Sequence, residues 1–263
     1  MIRQIRIELL KLSTIRVSYG LLATGAGLTA LFAILEAARA GGHGANTPAS
    51  LSTAAGFSSV ITAGIWGLLL AAVLGVIVSS GEFRHQTATL TYLATPSRTG
   101  VLAAKVAAGA VAGALFGLAS FVIAGGAGLG FTIARGYHVP LGDATLARYG
   151  AGQLLAGALL AAIGVCVGSL LRSQLAGVIG VFVWTIVIES LLGGLFPAIR
   201  PYLPYTAATT LSGTSLGGAA FGPAHGVSGG TPLPFAATTA LLAALAIVLA
   251  AAAARTTVRR DVT

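Results

Sequence analysis

Charge is what this sequence most lacks. Asp, Glu, Lys and Arg make up 8% of its 263 residues, whereas 56% are hydrophobic; a soluble domain carries roughly a quarter charged residues. So few polar groups cannot clothe a water-facing surface, and an ordinary soluble domain is excluded. One cysteine, Cys166, leaves no partner for a disulfide and no multi-cysteine zinc site; inside its apolar run it reads as a small buried side chain. His43, His85, His138 and His225 fall in four different connections, a spacing that suits no metal, and no metal site is expected. Lys11 and Lys105 are the only lysines, and neither stands after a Gly-rich turn or before Ser or Thr. A phosphate-cradling loop is therefore missing, and neither nucleotide hydrolysis nor a catalytic residue is expected of this chain. The net charge of +9 is scattered between apolar runs. Without a clustered basic face it argues against a nucleic-acid partner.

What is present is apolar length. Six stretches, 17–38, 60–80, 101–133, 149–171, 175–196 and 235–254, are long enough to cross ~30 Å of hydrocarbon at ~1.5 Å per residue. Backbone groups in lipid must pair within the protein, and these runs lack the short alternation of a barrel strand, so helices are selected. The fold class expected is all-α: a polytopic integral membrane protein of six transmembrane helices, one domain over 1–263. The third stretch is too long for one upright crossing, and Gly125-Gly126 offers it a place to bend or end. The basic start leads into a run of full spanning length, so the first span is expected to stay attached rather than be cleaved. No internal repeat is evident.

Orientation follows from the basic residues. With the N-terminus inside, eleven of fifteen fall on the cytoplasmic side, leaving Arg39, Arg135, Arg148 and Arg200 outside. Six crossings return the C-terminus to the cytoplasm, where Arg255, Arg259 and Arg260 agree with it. A bacterial plasma membrane is the expected location. Before the first span, Ile2, Ile5, Leu9 and Leu12 recur at intervals of three and four, which at ~100° per residue places them on one arc. Residues 1–16 thus read as an interfacial helix, this arc in the bilayer and Arg3, Gln4, Glu8 and Lys11 facing elsewhere.

The outer connections differ in kind. Gly41 to Ser59 is small and polar and reads as a flexible loop. Residues 197–234 hold six prolines, and Tyr205 to Leu216 within them is too short to cross, which suits a re-entrant or surface-lying piece. Tyr202 and Tyr205 would suit the headgroup level there. Glu36 and Glu189 lie near the outer ends of spans, and an ionisable group there is costly unless paired. For Glu189 the expectation is a structural cap or an ion pair with Arg148 or Arg200, ahead of substrate contact. Gly109, Gly113 and Gly117, and again Gly164 and Gly168, repeat every fourth residue and are candidate helix-packing faces.

The longest internal cytoplasmic connection, 81–100, runs Gly81-Glu82-Phe83-Arg84-His85-Gln86-Thr87-Ala88-Thr89-Leu90-Thr91-Tyr92-Leu93-Ala94-Thr95-Pro96-Ser97-Arg98 before Thr99 and Gly100. A helix through its middle would set Thr89, Leu90 and Leu93 on adjoining faces, a short plug with an apolar side and charged ends. That composition suits protein docking better than a solvated linker.

Taken with the start Glu8-Leu9-Leu10-Lys11-Leu12 and with Glu189-Ser190-Leu191-Leu192-Gly193 followed by Pro201 and Pro204, this segment resembles the membrane subunits of ATP-binding-cassette transporters of the type 2 exporter class. The likeness extends over nearly the whole chain, with Gln86 standing where many relatives have glycine. The resemblance implies a six-helix permease that pairs with a second permease copy or paralogue and is driven by a dimer of separately encoded ATPase subunits. ATP and Mg would bind that partner, leaving this chain without a cofactor of its own. It implies a coupling helix over Glu82 to Leu93, with Glu82, Phe83, Arg84, Thr87, Leu90 and Leu93 as contacts to the ATPase, and short re-entrant helices in 197–234. A drug, antibiotic, lipid or other amphipathic substrate would be exported by alternating access. A secondary carrier or channel, and a non-transport anchor or sensor subunit, are the rival classes.

Overall fold

The computed structural model describes residues 2–42, 47–84, 98–213 and 231–259, and among these all regular structure is helical. Six helical stretches are long and apolar enough to cross a membrane: Arg16–Arg39, Ala54–Gly81, Thr99–Ala134, Asp143–Leu171, Gln174–Leu195 and Phe235–Thr256. In chain order the helices are α1 (Ile2–Thr14), α2 (Arg16–Arg39), α3 (Ala54–Thr62), α4 (Ile65–Arg84), α5 (Arg98–Ala134), α6 (Asp143–Leu171), α7 (Gln174–Phe182), α8 (Glu189–Leu195), α9 (Pro204–Leu211) and α10 (Phe235–Arg259). A π-helical stretch, Val183–Ile188, joins α7 to α8, and a 3-10 turn, Pro197–Tyr202, precedes α9.

Glycine decides which helices are central. At Gly113 and Gly157 each backbone lies so close to the other that a Cβ on either would collide with the opposite carbonyl, which locks α5 against α6. Gly75 meets Ala161, and Gly164 meets Ala72, in the same way, locking α4 against α6. In lipid, where no hydrophobic gain rewards helix association, such close approach maximises dispersion contact. The core accordingly lies among α4, α5 and α6, with Leu68, Leu69, Leu74, Ala108, Ala156, Ala161 and Val165 almost wholly enclosed. α2 and α7 pack on α4, α10 on α6, and α1 on α5. Large apolar side chains point outward on the flanking helices, among them Leu31, Leu175, Leu191 and Ile247, and on the outer side of α5 at Leu115, as a lipid-facing surface requires.

Three local expectations are corrected. The connection Gly41 to Ser59 is not loop throughout, because α3 starts at Ala54 behind Thr53, whose Oγ1 accepts from Gly56 N at 3.2 Å as an N-cap. The second crossing is consequently two helices, broken at Ala63 and Gly64, where the hydrogen bonds tighten to Ala63 N→Val60 O and Gly64 N→Ile61 O. The third crossing neither ends nor breaks at Gly125-Gly126. With its 37 residues α5 is about 55 Å long, nearly twice the ~30 Å of a hydrocarbon core.

The sixfold pattern otherwise starts and stops close to the expected boundaries. The largest shift is at α6, which begins at Asp143 rather than near Tyr149. Asp143 sits in the first turn, where a carboxylate complements the helix dipole, so Arg148 lies within the helix and not in a loop.

Candidate functional site

Two buried polar clusters stand at opposite ends of the bundle. The first joins α1 to α5. Glu8 is buried, with Lys105 Nζ 3.0 Å from its Oε2 and Lys11 Nζ 2.9 Å from its Oε1. Lys105 is itself enclosed, its side chain 6% exposed. Removing either partner of such a pair strands a charge away from water, a loss of about 3–5 kcal/mol. Lys11 is far more exposed, and its contact adds little.

This pair reverses the expected sense of α1. Leu12 is buried in one apolar cluster with Leu70, Leu74 and Ala108, and Leu9 packs against that cluster, so the arc Ile5, Leu9 and Leu12 faces the bundle rather than lipid. Ile2, at the first position of α1, is 85% exposed. Glu8 turns inward with them. The exposed arc carries Arg3, Arg6, Ile7 and Leu10.

The second cluster surrounds Glu189, which opens α8 immediately after the π-helical stretch. Its Oε1 accepts from Trp184 Nε1 at 3.0 Å and Tyr205 N at 2.8 Å; its Oε2 accepts from Thr206 N at 2.9 Å and Thr206 Oγ1 at 3.1 Å. The backbone donors open α9. There Pro204 has no N–H to satisfy, Tyr205 and Thr206 give theirs to Glu189, and Ala207 N bonds Leu203 O at 2.7 Å. Every donor left over at that helix start has a partner, and the carboxylate meets the positive end of the helix dipole.

The expected arginine partners are placed differently. Arg148 lies over the Phe235 ring, 5.7 Å from its centroid, and the Arg200 stem runs beside Gly193. The four donors on Glu189 are an indole, two amides and a hydroxyl, which correct the expectation of an arginine ion pair with those of a helix cap.

Tyr205 is buried within the protein, and its hydroxyl donates to Ile65 O at 2.6 Å. Burial, and then the Glu189 charge, push its phenol well above the ordinary range, so the proton stays on the hydroxyl. Beside it, Gln153 Nε2 donates to Ile61 O at 2.9 Å, next to the α3–α4 break, while its buried Oε1 has no hydrogen-bond partner among the described residues. α9 is thus held by α8 at its start and by α4 along its side. At its far end the Leu211 carbonyl lies where a Cβ on Gly152 of α6 would be.

At the same end of the bundle, Arg135 donates to Ala40 O at 2.7 Å and Ala38 O at 2.8 Å, closing the C-terminus of α2 with a cation.

Of the residues expected to contact an ATPase, Glu82, Phe83 and Arg84 form the end of α4 in backbone, whereas Thr87, Leu90 and Leu93 lie outside the described residues. The interfacial arc is brought to α5, and Glu189 to α9. Sequence reasoning missed Lys105 and Gln153. A lone lysine and a lone amide inside long apolar runs were the available signals, since each is costly unless it finds a partner. Among the described residues no three His, Cys, Asp or Glu side chains gather as metal ligands would. Compared with known families and curated proteins, the chain matches no family model and no curated relative.

Proposed function

We propose that this chain is the permease subunit of an ATP-driven transporter of the ATP-binding-cassette type. The observation that carries the reading is what the 85–97 connection joins. On one side is α4, enclosed along nearly its whole length; on the other is α5, the longest described helix, and both lie along α6. A protein gripping that connection would move the centre of the bundle rather than its rim. The resemblance of Gly81-Glu82-Phe83-Arg84 through Pro96-Ser97-Arg98 to a coupling segment adds to the argument.

The end carrying Lys11, Lys105 and Arg172 is assigned to the cytoplasm because basic residues concentrate there. That assignment puts both termini inside, and the proposed location is a bacterial plasma membrane. ATP and Mg would be held by a separately encoded ATPase dimer, and a second copy or paralogue of this chain would complete the pathway. ATP binding would close the motor, the coupling segments would shift, and the two permease halves would rock to expose an amphipathic substrate outward. A proton-coupled carrier needs a carboxylate able to release its partners. Glu189 has both oxygens committed to a structural helix start, which favours the ATP-driven reading.

Charge reversal at Glu82 and Arg84 is the direct test. In a purified complex with its ATPase, E82K/R84E should lower transport-coupled ATP hydrolysis while membrane insertion stays normal. Unaltered coupling, or full transport by this chain without any nucleotide-consuming companion, would refute the proposal.

A further inference from the structure

We infer that the outward arc of α1 is a binding site for anionic phospholipid headgroups, with Arg3 and Arg6 as its cationic contacts. The observation is an asymmetry that the buried ion pair creates. The sole acid of α1, Glu8, is turned inward and neutralised by Lys105 and Lys11, so it contributes nothing to the exposed arc. Arg3 and Arg6 are exposed there, and Leu10 and Ile7 stand between and beside them at 57% and 45% exposure. At ~100° per residue these four side chains span about 100° of one arc, opposite the arc that packs on α5.

Apolar side chains interleaved with arginines would be a liability against water. Against a membrane surface they divide the work: the apolar groups enter the acyl boundary, and the guanidinium groups, on flexible stems, reach phosphate oxygens in forked geometry. The surface is also continuous with the outward face of α2. α1 and α2 are separated only by Ile15, and Tyr19, itself 58% exposed, donates to Ser13 O at 2.9 Å across the joint. That bond helps fix α1 at an angle to a helix whose outer side, including Val17 and Leu31, is apolar. An inward arc anchored by a buried salt bridge and an outward arc whose only charges are positive specify a lipid of negative charge.

The inference rests on the six crossings and the position of α1, not on the ATPase, so loss of ATP coupling leaves it standing. The full chain, purified in detergent, is titrated with short-chain phosphatidylglycerol or phosphatidylcholine, and occupancy is read by native mass spectrometry. Wild type should prefer phosphatidylglycerol. R3Q/R6Q should lose about thirtyfold in affinity for it, at about fivefold per arginine near an anionic surface, with phosphatidylcholine binding unchanged. R3K/R6K, which keeps the charge, should retain most of the preference. Both variants should melt with wild type, since neither side chain is buried; should the double glutamine variant misfold, R6Q alone still predicts about a fivefold loss. Equal affinity of wild type and R3Q/R6Q for phosphatidylglycerol, or no preference in wild type, overturns the site. Loss of a co-purifying acidic protein from R3Q/R6Q with lipid binding intact also overturns it, and assigns the face to a protein.

Discussion

Replacing Glu189 by alanine removes the acceptor of four hydrogen bonds at once and leaves two backbone amides of α9, that of Tyr205 buried and that of Thr206 half-buried, without their acceptor. Stranding such donors costs about 1–3 kcal/mol each. E189A should therefore lower the melting temperature of the detergent-purified protein sharply, by an amount equivalent to about 2–6 kcal/mol. E189Q keeps one acceptor oxygen but turns an NH2 toward amide donors, so its loss should be intermediate; a melting temperature equal to wild type in both variants contradicts the cap. The Glu8–Lys105 pair offers a second residue-scale test. K105M should destabilise by about 3–5 kcal/mol because Glu8 is left buried and charged. E8M/K105M should recover much of that loss, since two apolar side chains of similar length replace a desolvated pair. Additive losses in the double variant would show that the two residues act independently.

At the scale of elements, glycines divide into two sets that sequence spacing cannot separate. Gly75 and Gly157 sit where a Cβ would strike a neighbouring backbone, whereas Gly27 and Gly180 have nothing among the described residues within 4 Å of that position. G75L and G157L should cost more than the about 1–3 kcal/mol of ordinary overpacking, because backbone rather than a side chain must yield. G27L and G180L should insert and melt near wild type, the added side chain entering lipid. Comparing trypsin resistance and melting of the four variants checks the contrast, and equal damage at all four positions would contradict the packing. The repeat of Gly109, Gly113 and Gly117 was visible in the sequence, yet 37 glycines generate many such intervals. Only the facing residues on α6 distinguish a contact glycine from one on an open surface.

For the whole molecule, the number and approximate limits of the apolar helices could be read directly, because bilayer thickness converts a run of apolar residues into a length. The break at Ala63-Gly64, the π-helical stretch and the continuity of α5 could not. Each depends on what lies beside the helix: Gln153 bonding the Ile61 carbonyl near the break, Glu189 bonding Trp184 within the π-helical stretch, and no side chain crowding Gly125 or Gly126. The same limit applied to α1. Its period of three and four was legible, but periodicity defines an arc without saying whether protein or lipid receives it.

The sequence by itself determined that the chain is helical and built on a six-run plan, because scarcity of charge and length of apolar segments are local quantities with a single solvent to suit them. Only the tertiary structure decided the partners of the few polar groups. Glu8 finds Lys105 from 97 positions away, and Glu189 finds amides 16 and 17 positions further on. Buried charge must be satisfied wherever the fold brings a complement within about 3 Å, and sequence separation carries no record of that distance.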